Sequence, residues 1–149
     1  MYQITIEKYL KKDDVINKMS GKVIARDEVP KTVEYPSCFI INTKPRSHEG
    51  EHWLAIFYDR NGNADFFDSY GEHPSKYGLK TFLDISSSNW SYNQKRLQGF
   101  SSYCGHFCLL YLFFRVRNKS NVFYSTFRDN YFLNDKKITQ LLNFYRNKN

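Results

Sequence analysis

No run in this 149-residue sequence is long enough to cross a bilayer: the longest apolar stretch, Phe107 to Phe114, is far too short. The first residues, Met1-Tyr-Gln-Ile-Thr-Ile-Glu, lack a signal-peptide pattern, so the chain is expected to stay inside a cell or particle and not to be secreted. Cysteine is scarce. Cys38, Cys104 and Cys108 cannot all pair within the chain, and without a secretory signal a disulfide framework is not expected. Histidine and cysteine occur at no recognisable zinc-ligand spacing, so no metal is expected. Repeats and low-complexity segments are absent.

What is present suits one compact domain over residues 1–149. A hydrophobic content of 41% with 18% aromatics is enough to build a sizeable core, which argues against disorder. The net charge of +7 comes from 22 Lys and Arg against 15 Asp and Glu. That balance permits weak binding to nucleic acid or another polyanion. A solvated basic surface explains it equally well, because the basic residues are scattered.

Spacing predicts a helix over residues 4–19, ended by Ser20-Gly21. Residues 26–37, with Pro30 and Pro36, read as irregular, and 38–43 as a short strand. A polar loop over 44–51 leads to strands at 52–58 and 64–67, joined by the turn-rich Asp59-Arg-Asn-Gly-Asn63. Residues 71–80 read as a loop, 81–87 as a short helix or strand, and 90–97 as extended. A buried helix runs from Cys104 to about Val116. Asn134 is a plausible N-cap for a last helix ending near Arg146. The order predicts an α+β fold, a small antiparallel sheet packed against the buried helix.

Chemistry concentrates in Gln98-Gly-Phe-Ser-Ser-Tyr-Cys104-Gly-His-Phe-Cys108. A thiol at the mouth of a helix feels the positive end of the helix dipole and unpaired backbone N–H groups, which favour the attacking thiolate. Upstream, His52 and Asp68 lie 16 residues apart about a turn near Arg60. An odd-length hairpin loop places them on one face as direct or diagonal neighbours, within roughly 5–8 Å by backbone. A two-residue turn at Asn61-Gly62 puts them on opposite faces instead. On one face, Asp68 orients the imidazole of His52, which takes the proton of Cys104 and later protonates a leaving amine. Gln98 offers an amide to a developing oxyanion beside the backbone N–H of Cys104. Gly105 leaves space beside the nucleophile, and Trp53 walls the site; both are candidate substrate-binding residues.

Each residue also has a plainer reading. Cys104 fits a core cysteine, His52 a hydrogen-bonded surface histidine, Asp68 the start of a turn and Gln98 a loop residue. Their combination favours the catalytic account. Cys108, four residues after Cys104 on the same side of the helix, reads as core packing, Cys38 as structural, and His48 and His73 as surface residues. The aromatics from Tyr111 to Phe132 suggest packing first and nucleic-acid stacking second. Arg115 and Arg117 are the candidates for nucleic-acid binding.

Ile41-Asn-Thr43, Gly50-Glu-His52-Trp-Leu-Ala, Phe67-Asp68-Ser-Tyr-Gly71 and Gln98 with Cys104-Gly-His-Phe-Cys108 together resemble the adenovirus-type processing cysteine proteases, the adenain family. Relatives occur in virophages and virus-like transposons, and the SUMO-specific proteases are more distantly similar. The resemblance covers residues 38–115. It implies a papain-like fold with Cys104 as nucleophile, His52 as general base, Asp68 as orienter and Gln98 in the oxyanion hole. Asp68 departs from the glutamate of adenain itself and agrees with the SUMO-protease side. The implied function is cleavage of viral or virus-like precursor proteins during particle maturation, in an infected cell's nucleus or viral factory or in the virion. The alternatives are an isopeptidase for ubiquitin-like modifiers and a non-catalytic nucleic-acid-binding domain. The sequence requires no cofactor; DNA and an activating peptide are cofactors by resemblance only. Protein substrates, and DNA as a further partner, follow from the same resemblance; no membrane partner is expected.

Overall fold

The computed structural model describes residues 1–46 and 52–148. The chain opens with α1 (Gln3–Lys12) and α2 (Asp14–Lys18). The single helix expected over 4–19 is broken at Asp13. That residue is extended, and its carboxylate accepts the backbone N–H groups of Val15 and Ile16 at 3.0 and 3.1 Å, capping α2.

Five strands follow: β1 (Lys22–Ala25), β2 (Ser37–Asn42), β3 (Trp53–Tyr58), β4 (Asn63–Phe67) and β5 (Asn89–Tyr92), in the spatial order β1-β2-β3-β4-β5. Strands β2, β3 and β4 are antiparallel, as the turn signals require. The outer strands β1 and β5 join in parallel, so the sheet is mixed. The parallel edges are illegible in sequence, because such a strand pairs with a segment reached only through a crossover. The helix α3 (Lys80–Ser86) settles the ambiguous 81–87 segment and supplies one of these crossovers.

Every residue of β2 and β3 is buried, because both faces of the sheet are covered. Over one face lies α4 (Cys104–Arg115), with Phe107, Leu109, Leu110 and Leu112 fully buried, packed with Ile6 of α1 and Phe123 of α5 (Ser120–Ser125). Over the other, Leu79 and Leu83 pack onto Ile41, Leu54 and Ile56. The architecture is α+β, with the five-stranded sheet against a buried helix that begins at Cys104.

The last helix, α6 (Tyr131–Lys148), starts before Asn134. Asn134 is not its cap. Its buried amide donates to Leu97 O (3.0 Å) and Arg128 O (2.7 Å), and its Oδ1 accepts from Arg128 N at 3.0 Å, tying α6 to the loop before α4. Asn130 does the capping, accepting the N–H of Leu133 at 3.1 Å.

Candidate active site

The β3–β4 connection is a five-residue loop with Tyr58 opposite Ala64. Asp59 builds it: its carboxylate accepts the N–H groups of Asn61 and Asn63 at 2.8 and 2.9 Å, and Gly62 takes the positive φ of 82° that the turn needs. The odd length decides the site. Ala55 faces Phe67, so one further step puts Asp68 opposite Leu54 and diagonal to His52, on the same face. The tight Asn61-Gly62 turn, which would have separated them, does not form. His52 Nε2 and Asp68 Oδ1 lie 2.6 Å apart.

Asp68 is fully buried and its carboxylate is saturated with donors. Besides the imidazole it accepts Tyr70 N (3.0 Å), Glu72 N (3.2 Å) and the hydroxyl of Tyr77 (2.6 Å). Burial alone opposes its charge, but the His52 bond and the remaining donors hold it below the usual carboxylate range.

The thiol of Cys104 and the His52 ring are near enough to shift each other's titration. With Nε2 committed to Asp68, the nitrogen left for sulfur is Nδ1. Burial of His52 disfavours its cation, yet the bonds to Asp68 and Cys104 outweigh that and raise its pKa to about 9. Burial likewise disfavours a Cys104 thiolate, and the His52 bond outweighs it, with help from the backbone N–H groups of Trp53 and Gly105, so its pKa is lowered. The two opposite shifts both favour a thiolate–imidazolium pair. Nothing comparable happens elsewhere: burial pushes Cys38 up to about 12 and Cys108 well above the thiol range, and Cys108 Sγ donates to Trp53 O at 3.3 Å as a packed core residue.

Gln98 is buried and fixed at both ends. Its Oε1 accepts from Ser69 Oγ at 2.5 Å, and Nε2 donates to Ser101 O at 2.8 Å. The Ser69 bond sets the flip of the amide, so its N–H groups face the 101–104 end of the loop. Nε2 also reaches Ser101 Oγ at 3.4 Å, so both contacts of the amide nitrogen are to Ser101.

Trp53 and Gly105, read as substrate-binding, lie against each other beside Met1. The Trp53 indole is buried, with Nε1 donating to Met1 O at 3.1 Å. A Cβ on Gly105 would lie 3.3 Å from Trp53 Cδ1 and 3.3 Å from Met1 Cβ. Both side-chain positions thus face the start of the chain, and the two residues serve the sulfur through backbone N–H groups.

Arg115 and Arg117 are engaged within the fold. Arg115 pairs with Asp65 at 2.5 Å and lies over the Phe57 ring, and Arg117 pairs with buried Asp13 at 2.9 Å. The aromatics divide: Phe123 and Phe127 are core, whereas Phe132 is 66% exposed. His73 is partly buried against Trp90 and Tyr92. His48 and Gly50-Glu51 of the motif lie outside the described residues.

Sequence reasoning missed the shell around His52 and Asp68. Tyr70 stacks on the His52 ring at 4.8 Å between centroids, and Arg96 lies 5.1 Å over the Tyr70 ring. Asn93 clamps the Asp68 backbone from both sides, accepting its N–H at 2.9 Å and donating to its carbonyl at 2.6 Å. Tyr70, two residues after Asp68, was within reach of a turn argument. Tyr77 and Asn93 arrive from other elements and carried no local signal.

No protein-family model and no curated protein matches the chain. Among solved structures it is similar to the ASFV pS273R protease, at 26% identity over 54% of this chain and 35% of that one, with a TM-score of 0.40. The chain therefore spans about a third of that protease's length, and a likeness this loose carries no functional argument. Among the described residues no helix is long and apolar enough to cross a membrane.

Proposed function

We propose that this chain is a cysteine peptidase. One observation carries the reading: the His52 ring is held by Asp68 at 2.6 Å and is coupled to the thiol of Cys104, with His52 raised and Cys104 lowered in pKa. A packing or binding role has no need for an activated thiol paired to an oriented imidazole.

In the proposed reaction the Cys104 thiolate attacks the scissile carbonyl carbon, forming a C–S bond and moving an electron pair to oxygen. In this reading the backbone N–H of Cys104 takes that oxyanion, joined by the Nε2–H of Gln98 once it turns from Ser101. The imidazolium of His52 gives its proton to the amine as the C–N bond breaks. Water, deprotonated by His52, then cleaves the thioester, releasing the carboxylate product and restoring the thiolate. Asp68 remains charged and keeps the ring in place.

The four short motifs in chain order support a finer reading, processing of viral or virus-like precursor proteins in the infected cell or particle. Asp68 in the orienting position equally suits removal of a ubiquitin-like modifier. A fluorogenic panel carrying both internal precursor-type sites and Gly-Gly conjugates, assayed with and without DNA, tests the two. Turnover of the first class that is lost in Cys104→Ala supports processing, turnover of conjugates alone supports the modifier reading, and inertness on both overturns the peptidase.

A further inference from the structure

Arg96 lies where three parts of the site meet. Its guanidinium stands 5.1 Å over the Tyr70 ring, 5.0 Å over the Tyr131 ring of α6 and 5.7 Å over the Phe100 ring. Tyr70 is the ring stacked on His52 at 4.8 Å. The same side chain turns back on the loop that follows it. Its Nε donates to Gln98 O at 2.6 Å, and Nη2 donates to Gly99 O at 3.3 Å. The peptide between Gln98 and Gly99 is gripped at its other end as well. Gly99 N–H donates to the carboxylate of buried Asp135 on α6, 3.1 Å from Oδ1 and 3.2 Å from Oδ2. A Cβ on residue 99 would lie 2.7 Å from Asp135 Oδ2, so glycine is what lets the loop approach α6 this closely. On the other side, the N–H groups of Leu97 and Gln98 both donate to Ser69 O, at 2.8 and 3.0 Å. The backbone of Gln98 is thus fixed at its N–H and at its carbonyl, six residues before the nucleophile.

We propose that Arg96 is a positioning residue for the reaction: it keeps the Gln98–Cys104 loop in register with the Tyr70 ring stacked on His52. The inference rests on the peptidase reading. Arg96 acts through Tyr70 and through the loop, which carries Gln98 and ends in the backbone N–H of Cys104. The two halves of the chemistry, proton transfer at His52 and oxyanion binding at the loop, are joined by one side chain. An arginine suits this task and a lysine does not. A planar guanidinium lays its face on aromatic rings while its edge reaches two successive carbonyls, whereas an ammonium is a compact point charge without a flat face. A charged donor also holds those carbonyls more firmly than a neutral one. Asp135 is the counterpart on the far side of the same peptide, and it brings α6 into the support of the site.

Two reagents separate the loop from the thiol without assuming a substrate sequence. p-Nitrophenyl acetate acylates a thiolate: a thioester forms at Sγ, the carbonyl oxygen passes through an oxyanion, and p-nitrophenolate leaves. Iodoacetamide alkylates the same sulfur by displacing iodide and develops no such oxyanion. The ratio of acylation rate, read as p-nitrophenolate release, to alkylation rate, read by mass spectrometry of Cys104, therefore reports the loop. That ratio is expected to fall roughly ten-fold in Arg96→Met, within the roughly 10² that a displaced group costs. Arg96→Lys keeps the charge but not the fork, and a several-fold fall is expected there. Asp135→Asn keeps one acceptor oxygen, and its fall is expected to be smaller. Arg115→Gln breaks the pair with Asp65 at the far end of α4 and serves as the stability control: its melting temperature drops and its ratio stays. An unchanged ratio in the Arg96 variants, or an equal fall in Arg115→Gln, overturns the positioning role and leaves the peptidase reading standing. Should Arg96→Met not fold, Arg96→Lys decides. Wild-type protein that releases p-nitrophenolate no faster than Cys104→Ala overturns the peptidase reading, and the positioning role falls with it.

Discussion

Tyr77 donates its hydroxyl to Asp68 Oδ2 at 2.6 Å, from a short 3₁₀ turn outside the hairpin that joins Asp68 to His52. The carboxylate is thereby held from two directions, by the His52 ring and by the tyrosine hydroxyl. Tyr77→Phe removes that second hold while keeping the ring near His52. Turnover is expected to drop roughly ten-fold, a fraction of what general acid–base catalysis contributes. With less of its charge shared, Asp68 grips the imidazolium proton more tightly, so the alkaline limb of the pH profile moves up by less than about one unit. A purely structural role would lower the melting temperature and leave the limb in place.

The pH dependence follows from two opposed shifts. Cys104 is lowered and His52 raised to about 9, so the ion pair exists below the usual thiol range and is lost as pH rises through about 9. Turnover is expected to fall along that limb, because the leaving amine then lacks its proton donor. The same sign holds for stability: the raised His52 stabilises the fold fully below the ordinary imidazole range and ceases to do so through about 9. A kcat/KM profile still rising above pH 10 would contradict the pairing.

His52→Ala separates the two influences on the thiol. Burial alone raises a thiol pKa, and the His52 bond is what reverses it at Cys104. Without the ring, Cys104 is expected to titrate above the usual thiol range, and iodoacetamide labelling near neutral pH to slow to the level of Cys38. Turnover is expected to fall by roughly 10²–10⁴. Cys104→Ala is expected to abolish turnover while circular dichroism stays native; residual activity in that variant would place the nucleophile elsewhere.

Asp68→Asn is expected to harm the fold as well as the chemistry. Four donors converge on this buried carboxylate, and an amide group would turn its own N–H groups against some of them. A stability loss of about 1–3 kcal/mol is expected for the groups left unpaired. Chemical denaturation checks it, and an unchanged midpoint would show that the network rearranges at no cost.

Charge reversal at Arg115 and Arg117 is expected to lower stability by roughly 1–3 kcal/mol, because each breaks an intramolecular bond to a charged partner. Any loss of DNA binding in such a variant must be compared with its melting curve. Full stability with lost binding would restore the nucleic-acid role to these two residues.

Local patterns carried much of this protein. The run from Phe107 to Phe114 specifies a buried helix, and Cys104 before it specifies a thiol at the helix mouth. Asp59-Arg-Asn-Gly-Asn63 specifies a hairpin turn, and counting brings His52 and Asp68 to one face once the loop is odd, a length that the sequence left open and the fold set at five. These features depend on neighbours a few residues apart or on the period of a strand, so they are legible in one dimension. Asn134 shows where that legibility ends. Its composition suits a cap, but its partners, Leu97 and Arg128, are brought to it by the packing of α6. The parallel edges β1 and β5, the clamp of Asn93 on Asp68, the Ser69 bond that orients Gln98 and the Tyr77 hydroxyl were all decided by tertiary structure. Contacts between distant segments depend on how the crossovers close, and no local spacing encodes that. Sequence by itself singled out the groups proposed to do chemistry; the fold decided which partners hold them.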